Sequence, residues 1–211
     1  MPVSEKSREL TPREQKRNRI LRAAIEVFAS KGYFAARMTD VAAAAEVADG
    51  TLYLYFEGKE HLLMSIFDDV LGRFITRLDA EISGTQDPIE KLSVMVRLHL
   101  ETLGRDHALA NVLQIETRHS RRFMSLFTRG KLGEYLNRVR DIITEGQELG
   151  VFRGDISPGL ATNLVFGAVD ELVTSWLLAE RPGDLLRHHR PLVRMLTDGI
   201  APCRNHGGEQ P

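Results

Sequence analysis

Apolar residues recur every three or four positions in segment after segment of this chain, and no segment shows the strict alternation of a half-buried strand. Over residues 13–31, Ile20, Leu21, Ala24, Val27 and Phe28 keep helical spacing, and Gly32 follows as a stop. Thr39 is placed to cap a short helix over residues 41–45, and Val47 and Ala48 make a turn. Asp49 or Gly50 then opens a helix carrying Thr51, Tyr53 and Tyr55, and Gly58 breaks it. A long helix is expected over residues 59–82, with Leu62, Leu63, Ile66, Val70, Phe74 and Leu78 on its apolar side. Residues 83–88 form the clearest linker, where Asp87 caps and Pro88 occupies the first helical position. Helices follow over residues 88–103, 107–117 and 121–149, the last stopped by Gly150. Ser157 and Pro158 restart helix, and Leu160, Leu164, Val165, Ala168, Leu172, Val173, Trp176 and Leu177 form a wide apolar stripe. Pro182 and Gly183 end it, and a final helix over 184–200 carries a kink or restart at Pro191. The pattern predicts an all-α protein of about nine helices. A three-helix domain (13–58) and a helical bundle (59–200) are flanked by a flexible arm (1–12) and a polar tail (201–211).

Composition narrows the function without deciding it. The 211 residues are 43% hydrophobic and 27% charged, with a formal net charge of −1 and a pI near 6.7. That balance argues against a protein that coats nucleic acid indiscriminately. A reader of DNA with such a charge must concentrate its cations. Arg13, Lys16, Arg17, Arg19 and Arg22 stand close together in the first helix against Glu14 alone. Cys203 is the only cysteine, no segment resembles a signal peptide, and charges interrupt every apolar run before membrane-spanning length. A soluble, cytoplasmic protein is expected, with no membrane partner. His188 and His189 are adjacent and do not share a helix face, and no Cys, His or carboxylate set has metal-ligand spacing. Neither a Gly-rich phosphate loop nor a nucleophile elbow occurs, so no cofactor, metal or catalytic residue is expected.

Two short helices with a tight break between them, the second rich in small and hydroxylated residues, make a helix-turn-helix, whose second helix enters the DNA major groove. Gly50 and Thr51 leave the front of that helix small enough for close approach to base edges. Tyr53 and Tyr55 offer hydroxyls to phosphate oxygens. Thr39 and Lys59, each at a helix start, join side-chain donors to free backbone N–H groups. Lys16 and Arg17 are placed to grip the flanking backbone. Leu52 and Phe56 are expected as core, whereas Tyr33 stays open between core, wedge and phosphate contact.

Thr51-Leu52-Tyr53-Leu54-Tyr55-Phe56, followed by Lys59-Glu60 and Leu62-Leu63, closely resembles the hallmark of TetR-family transcriptional repressors. Two departures stand out. The turn carries Glu46 where the family has Gly, so it must manage without that freely left-handed residue. Asp49 replaces the usual Ser, with capping of the recognition helix expected ahead of a contact to cytosine.

Later runs resemble the FadR-like, acyl-CoA-responsive regulators of fatty-acid degradation. They are Asp106-His107 with Leu109-Ala110, then Gln114, Glu116, Arg118 and Ser120, then Phe166-Gly167 with Asp170-Glu171, Val173-Thr174 and Trp176. The resemblance implies a repressor that leaves DNA when long-chain acyl-CoA fills its bundle. An acyl chain needs an apolar tunnel, for which Met95, Leu103, Phe166 and Val173 are candidates, with Leu92, Val96, Leu109, Val112, Leu113 and Val169 beside them and ordinary core as the alternative at each. Arg118, Arg121 and Arg122 would meet the CoA phosphates, although a plain surface charge cluster fits them equally. His107, Asn111, Gln114 and Arg118 share one face of a regular helix and would line the mouth. Asp170 and Glu171 interrupt the apolar stripe of their helix, and at least one of them is expected partly buried with a hydrogen-bonded partner.

TetR-like proteins are homodimers joined through their last two long helices. Here Leu164, Gly167, Ala168, Leu192, Val193 and Leu196 would supply that contact. The partners expected are therefore a double-stranded operator, a second copy of the chain and a hydrophobic effector. A repressor answering to another apolar or aromatic effector, such as a drug, is the nearest alternative. An acyl-CoA-processing enzyme and a nonspecific DNA-architectural protein fit less well, for want of a nucleophile and of net positive charge.

Overall fold

The computed structural model describes residues 10–116, 130–180 and 183–200. Among these residues are nine α-helices and no strand, the all-α architecture that the apolar spacing predicts. The chain forms two compact units that divide between Ile66 and Phe67, inside the long helix rather than at its start.

In the first unit, α1 (Pro12–Lys31) opens on a reciprocal cap. The Glu14 N–H donates to Thr11 Oγ1 at 3.2 Å and the Thr11 N–H to Glu14 Oε2 at 2.8 Å. Order thus reaches back into the arm expected over residues 1–12. Ile20, Leu21, Ala24, Val27 and Phe28 form the buried face of α1, which packs on α2 (Met38–Ala44). Helix α2 starts earlier than expected, because the Asp40 carboxylate accepts the Arg37 N–H at 2.8 Å. Thr39 is therefore an exposed second residue of the helix and not its cap. Helix α3 (Asp49–Tyr53) begins after Ala48, so Asp49 is its first residue and not its cap either.

Glu46, in the turn between α2 and α3, takes the left-handed conformation with φ 53°. Its N–H donates to Ala43 O at 3.1 Å and the Val47 N–H to Ala42 O at 3.0 Å, the bonding of a Schellman end. The turn does not manage without a left-handed residue. It forces a glutamate to be one.

The second unit is built around α5 (Pro88–Gly104), which opens as predicted: Pro88 is its first residue and Asp87 accepts the Ile89 N–H at 2.9 Å. No residue of α5 from 91 to 104 is exposed, and Leu92, Met95, Val96, Leu98 and Leu100 are fully buried. Each such leucine contributes ~1.5–3 kcal/mol of burial. Packed on α5 are α6 (His107–Asn111), α7 (Lys131–Glu148), α8 (Pro158–Leu177) and α9 (His189–Ile200). The C-terminal part of α4 (Lys59–Ile82) is tied to this unit by ions: Arg138 grips Asp79 with two bonds of 2.8 and 3.1 Å, and Arg77 and Arg97 each bridge Glu81 and Glu101.

Helix α6 does not run on regularly to 117; it gives way to a π-helical turn, Val112–Glu116. The start expected at residue 121 lies outside the described residues. Helix α7 ends at Gly150 (φ 71°) as predicted, with the Val151 N–H donating to Gly146 O at 2.8 Å. Ser157 caps α8 through the Leu160 N–H at 3.3 Å. A 3-10 turn, Leu185–His188, then precedes α9, whose first turn contains Pro191, so the chain restarts there rather than kinking.

Replacing Glu46 with Gly removes the left-handed strain at the cost of a more flexible unfolded chain. Glu46→Gly is expected to stabilise the fold by roughly 0.5–1 kcal/mol, measured as a higher urea midpoint. A lower midpoint would show that the glutamate side chain holds the turn.

Candidate nucleic-acid interface and internal cavity

Leu52 and Phe56 are four residues apart and both buried, as expected, so Tyr53 and Leu54 between them face outward at 56% and 76% exposure. Gly50 is exposed, and a Cβ placed on it would meet no atom within 4 Å. The front of α3 is open, with Asp49 exposed and Thr51 half-buried beside Gly50. On α1, Lys16 is exposed, whereas the Arg17 guanidinium lies 5.7 Å from the centre of the Phe56 ring. Arg13 stands in the same way over Tyr55, at 5.9 Å. These contacts bind the basic helix to the segment after α3 and hold Tyr55 half-buried.

Lys59 has a different role from the one its position suggested. Its Nζ donates to the carbonyls of Tyr33 (2.7 Å), Phe34 (2.9 Å) and Ala36 (2.9 Å) and lies 4.7 Å from the centre of the Tyr33 ring. An ammonium has three donors, and all three are spent on the loop after α1. Lys59 is a clamp rather than a phosphate ligand, and partial burial lowers its pKa. Tyr33 resolves as core, edge-on to Phe28 and Phe34 at 5.4 Å each, with its pKa raised by burial and then by Glu60. Phe34 is itself 64% exposed. Neither Phe34 nor Leu54 was expected on this surface. The spacing of Leu52 and Phe56 was a signal sufficient for Leu54.

In the second unit a cavity of about 110 Å³ lies among α4 to α8. From α4 come Phe67, Val70, Leu71 and Phe74, and from α5 His99, Thr102 and Leu103. The π turn supplies Leu113 and Gln114, α7 Leu132 and Tyr135, and α8 Phe166 and Asp170. Four of the expected ligand residues are thus brought together: Leu103, Gln114, Phe166 and Asp170. Met95 and Val173 are buried core outside the lining. His107 is exposed and packs on Trp176 at 5.4 Å, and Asn111 is half-buried away from the cavity. Arg118, Arg121 and Arg122 fall outside the described residues.

The single polar face expected for His107, Asn111 and Gln114 is broken by the π turn, whose longer hydrogen-bond span changes the helical phase. Gln114 is turned inward and only 3% exposed. Its Nε2 donates to Asp170 Oδ1 at 2.8 Å, and its Oε1 accepts from Thr174 Oγ1 at 3.3 Å. Asp170 thus has the partner that burial requires, while Glu171 faces outward.

The wall holds two groups not anticipated, His99 and Tyr135. Their Nδ1 and hydroxyl are 3.1 Å apart, and that hydroxyl is 3.2 Å from Met95 Sδ. His99 Nε2 is buried without a hydrogen-bond partner. Burial pushes the His99 pKa down to about 4, with the Asp170 charge opposing the shift, and raises that of Tyr135. The imidazole is therefore neutral at neutral pH.

On the outer surface, Leu160, Leu164 and Gly167 follow one another at helical spacing on α8, all exposed. Ala168, Leu192, Val193 and Leu196 are half-buried, and Met195 on α9 is 76% exposed. Among the described residues no helix is long and apolar enough to cross a membrane.

Residues 20–66 match the family described as bacterial regulatory proteins, tetR family, and residues 67–199 match the YsiA-like protein, C-terminal region. The fatty acid metabolism regulator protein of Bacillus subtilis (strain 168) is 37% identical over 185 residues, 86% of this chain and 93% of that protein. The fatty acid degradation regulator FadR from Bacillus halodurans superposes with a TM-score of 0.84 at 36% identity, over 91% of this chain and 98% of its own. FadR from Bacillus subtilis, solved in complex with stearoyl-CoA, gives a TM-score of 0.83 at 35% identity, over 87% and 98%.

Neutral His99 makes stability depend on pH. The unfolded ring takes a proton near pH 6.5, the folded one only near pH 4. Its contribution is complete above pH 6.5 and is lost as pH falls toward 4, amounting to about 2 kcal/mol by pH 5. Urea midpoints between pH 7 and 5 should show that slope, and His99→Phe should flatten it. A slope unchanged by the substitution would assign it to other groups.

Proposed function

Because the chain belongs to the TetR family and is a transcriptional repressor of the TetR/FadR type, we propose that it binds a pseudo-palindromic operator as a homodimer and is released by long-chain acyl-CoA. Its targets would be genes of fatty-acid degradation, and its place of work the cytoplasm, where the DNA is. Its relatives are regulators rather than enzymes. The observation that carries the effector reading is the cavity. Phe67, Val70, Leu71, Phe74, Leu103, Leu113, Leu132 and Phe166 offer an alkyl chain apolar contact on several sides. A protein of 35% identity and the same fold holds stearoyl-CoA. In this reading Arg118, Arg121 and Arg122 meet the CoA phosphates, whose paired oxygens suit the planar fork of a guanidinium.

The DNA contacts would come from Lys16, Arg17, Thr39, Asp49, Gly50, Thr51, Tyr53 and Tyr55, with Lys59 holding the loop behind them. The exposed strip of Leu160, Leu164 and Gly167, continued by Ala168, Leu192, Val193 and Leu196, is the surface a second copy would cover. Two recognition helices would then enter major grooves about 34 Å apart. Release needs the ligand to bind the DNA-incompetent arrangement more tightly than the competent one. Helix α4 supplies both the Lys59 clamp and four cavity residues, which makes it the element through which filling of the cavity would act. The aromatic share of the wall, Phe67, Phe74, Tyr135 and Phe166, favours an aromatic effector as the second reading.

A duplex selected by the protein from a random pool supplies the operator for the test. Acyl-CoA should dissociate the complex while CoA and free fatty acid do not; a complex intact at high acyl-CoA excess rejects the proposed effector. Tyr53→Ala should weaken operator binding roughly tenfold, the loss of one hydrogen bond to a charged oxygen, with thermal unfolding and acyl-CoA binding unchanged. Undiminished affinity would remove Tyr53 from the interface.

A further inference from the structure

The polar atoms of the cavity wall are nearly all accounted for. Gln114 bonds Asp170 and Thr174, and the Thr102 hydroxyl donates to Leu98 O at 2.7 Å. The Tyr135 hydroxyl is shared between His99 Nδ1 and Met95 Sδ. Among the described residues, His99 Nε2 is the one buried side-chain nitrogen or oxygen with no partner.

The neighbours allow two tautomers. In one, Nδ1–H donates to the Tyr135 oxygen while the Tyr135 hydroxyl donates to Met95 Sδ, and Nε2 is an unpaired acceptor. In the other the Tyr135 hydroxyl donates to Nδ1, a stronger acceptor than a thioether, and Nε2 carries the hydrogen. An occupant that offers an acceptor selects the second, because it pairs that hydrogen. A buried N–H left unpaired is unfavourable, and the His99 ring forms part of the cavity wall between Phe74 and Phe166. The Cβ–Cγ torsion of histidine is broad, which lets the ring adjust to an occupant of that cavity.

We propose that His99, through Nε2–H, donates the hydrogen bond that recognises the carbonyl oxygen of the acyl ligand, and so selects a neutral acyl group over other apolar chains. This rests on the acyl-CoA reading above and adds the atom that senses the acyl function. The methylenes of the chain have no acceptor to offer. The carboxylate of a free fatty acid does, but it would bring a second negative charge to a wall that already carries Asp170, whose charge is felt at His99. A thioester carbonyl supplies an acceptor without that charge.

The test compares direct binding of hexadecanoyl-CoA and S-hexadecyl-CoA, a thioether of equal chain length that lacks the carbonyl, to the full-length protein. Wild type should prefer the thioester about tenfold, the worth of one buried hydrogen bond. His99→Phe, which keeps a ring of similar size, should bind both ligands alike. His99→Gln, which retains an N–H donor, should restore part of the preference. Equal binding of both ligands by wild type overturns the proposal without any variant, as does a preference that survives in His99→Phe. If neither ligand binds wild type, the acyl-CoA reading itself fails and the assignment of His99 falls with it.

Discussion

A helix packed against neighbours along most of its length must find partners for the polar groups it turns toward them, and α5, with no exposed residue from 91 to 104, is such a helix. Its apolar positions need no comment; its polar ones organise the bundle. Lys91 reaches Glu145 of α7 at 2.7 Å. Arg97 and Glu101 join Glu81 and Arg77 of α4, and Ser93 meets His189 of α9 at 3.0 Å. Each pairing ties a neighbouring helix to α5; the part-exposed Arg77 and Glu81 contribute modestly, and the network gains from sharing Glu81 and Glu101 between two arginines. His99 completes the series toward α7 through Tyr135 and leaves one nitrogen over. His99 also lines the cavity, so the residue of α5 with an unpartnered buried nitrogen belongs to the cavity wall.

How much of this was legible depended on whether a feature is written locally. Asp87 with Pro88, Ser157 with Pro158, and Gly150 are signals whose partners lie within four residues, and each marks a helix end as read. Thr39 misled, because the carboxylate that opens α2 is Asp40, one residue further on, acting backward on Arg37. Lys59 misled for a different reason: its acceptors lie 23 to 26 residues away. No spacing rule shows a lysine spent on distant carbonyls.

The ligand region was read through one assumption, that residues 107–117 form a regular helix. No Pro or Gly between His107 and Glu116 announces a π turn, and its inward turn of Gln114 is fixed by Asp170, 56 residues away. The stripe through His107, Asn111 and Gln114 therefore dissolved, while Gln114 alone entered the wall. Residues of α4 and α7 went unrecognised because cavity lining and core share one composition. Phe74 against the cavity and Leu78 in the core belong to the same apolar side of the same helix. Periodicity tells which side of a helix is buried, and packing alone decides what it is buried against.

Charge constrains the DNA-reading unit more tightly than its basic first helix suggests. Residues 10–66 carry eight Lys and Arg against seven Asp and Glu, so this unit is close to neutral. Several of its cations are also engaged: Lys31 on Asp40 at 2.7 Å, Lys59 on three carbonyls, Arg17 over Phe56 and Arg13 over Tyr55. Nonspecific affinity grows with the number of phosphates neutralised, and a unit with so few uncommitted cations gains little from it. If the unit reads DNA, its affinity must come from close fit at Gly50 and Thr51, from hydroxyl donors such as Tyr53, and from duplication. In the proposed dimer, two heads on one operator would add their contacts within a single complex, which would recover through symmetry what one head lacks in charge. On that argument a dimer is a condition for useful binding, and anything that alters the placement of the two heads has the whole of the affinity to act upon.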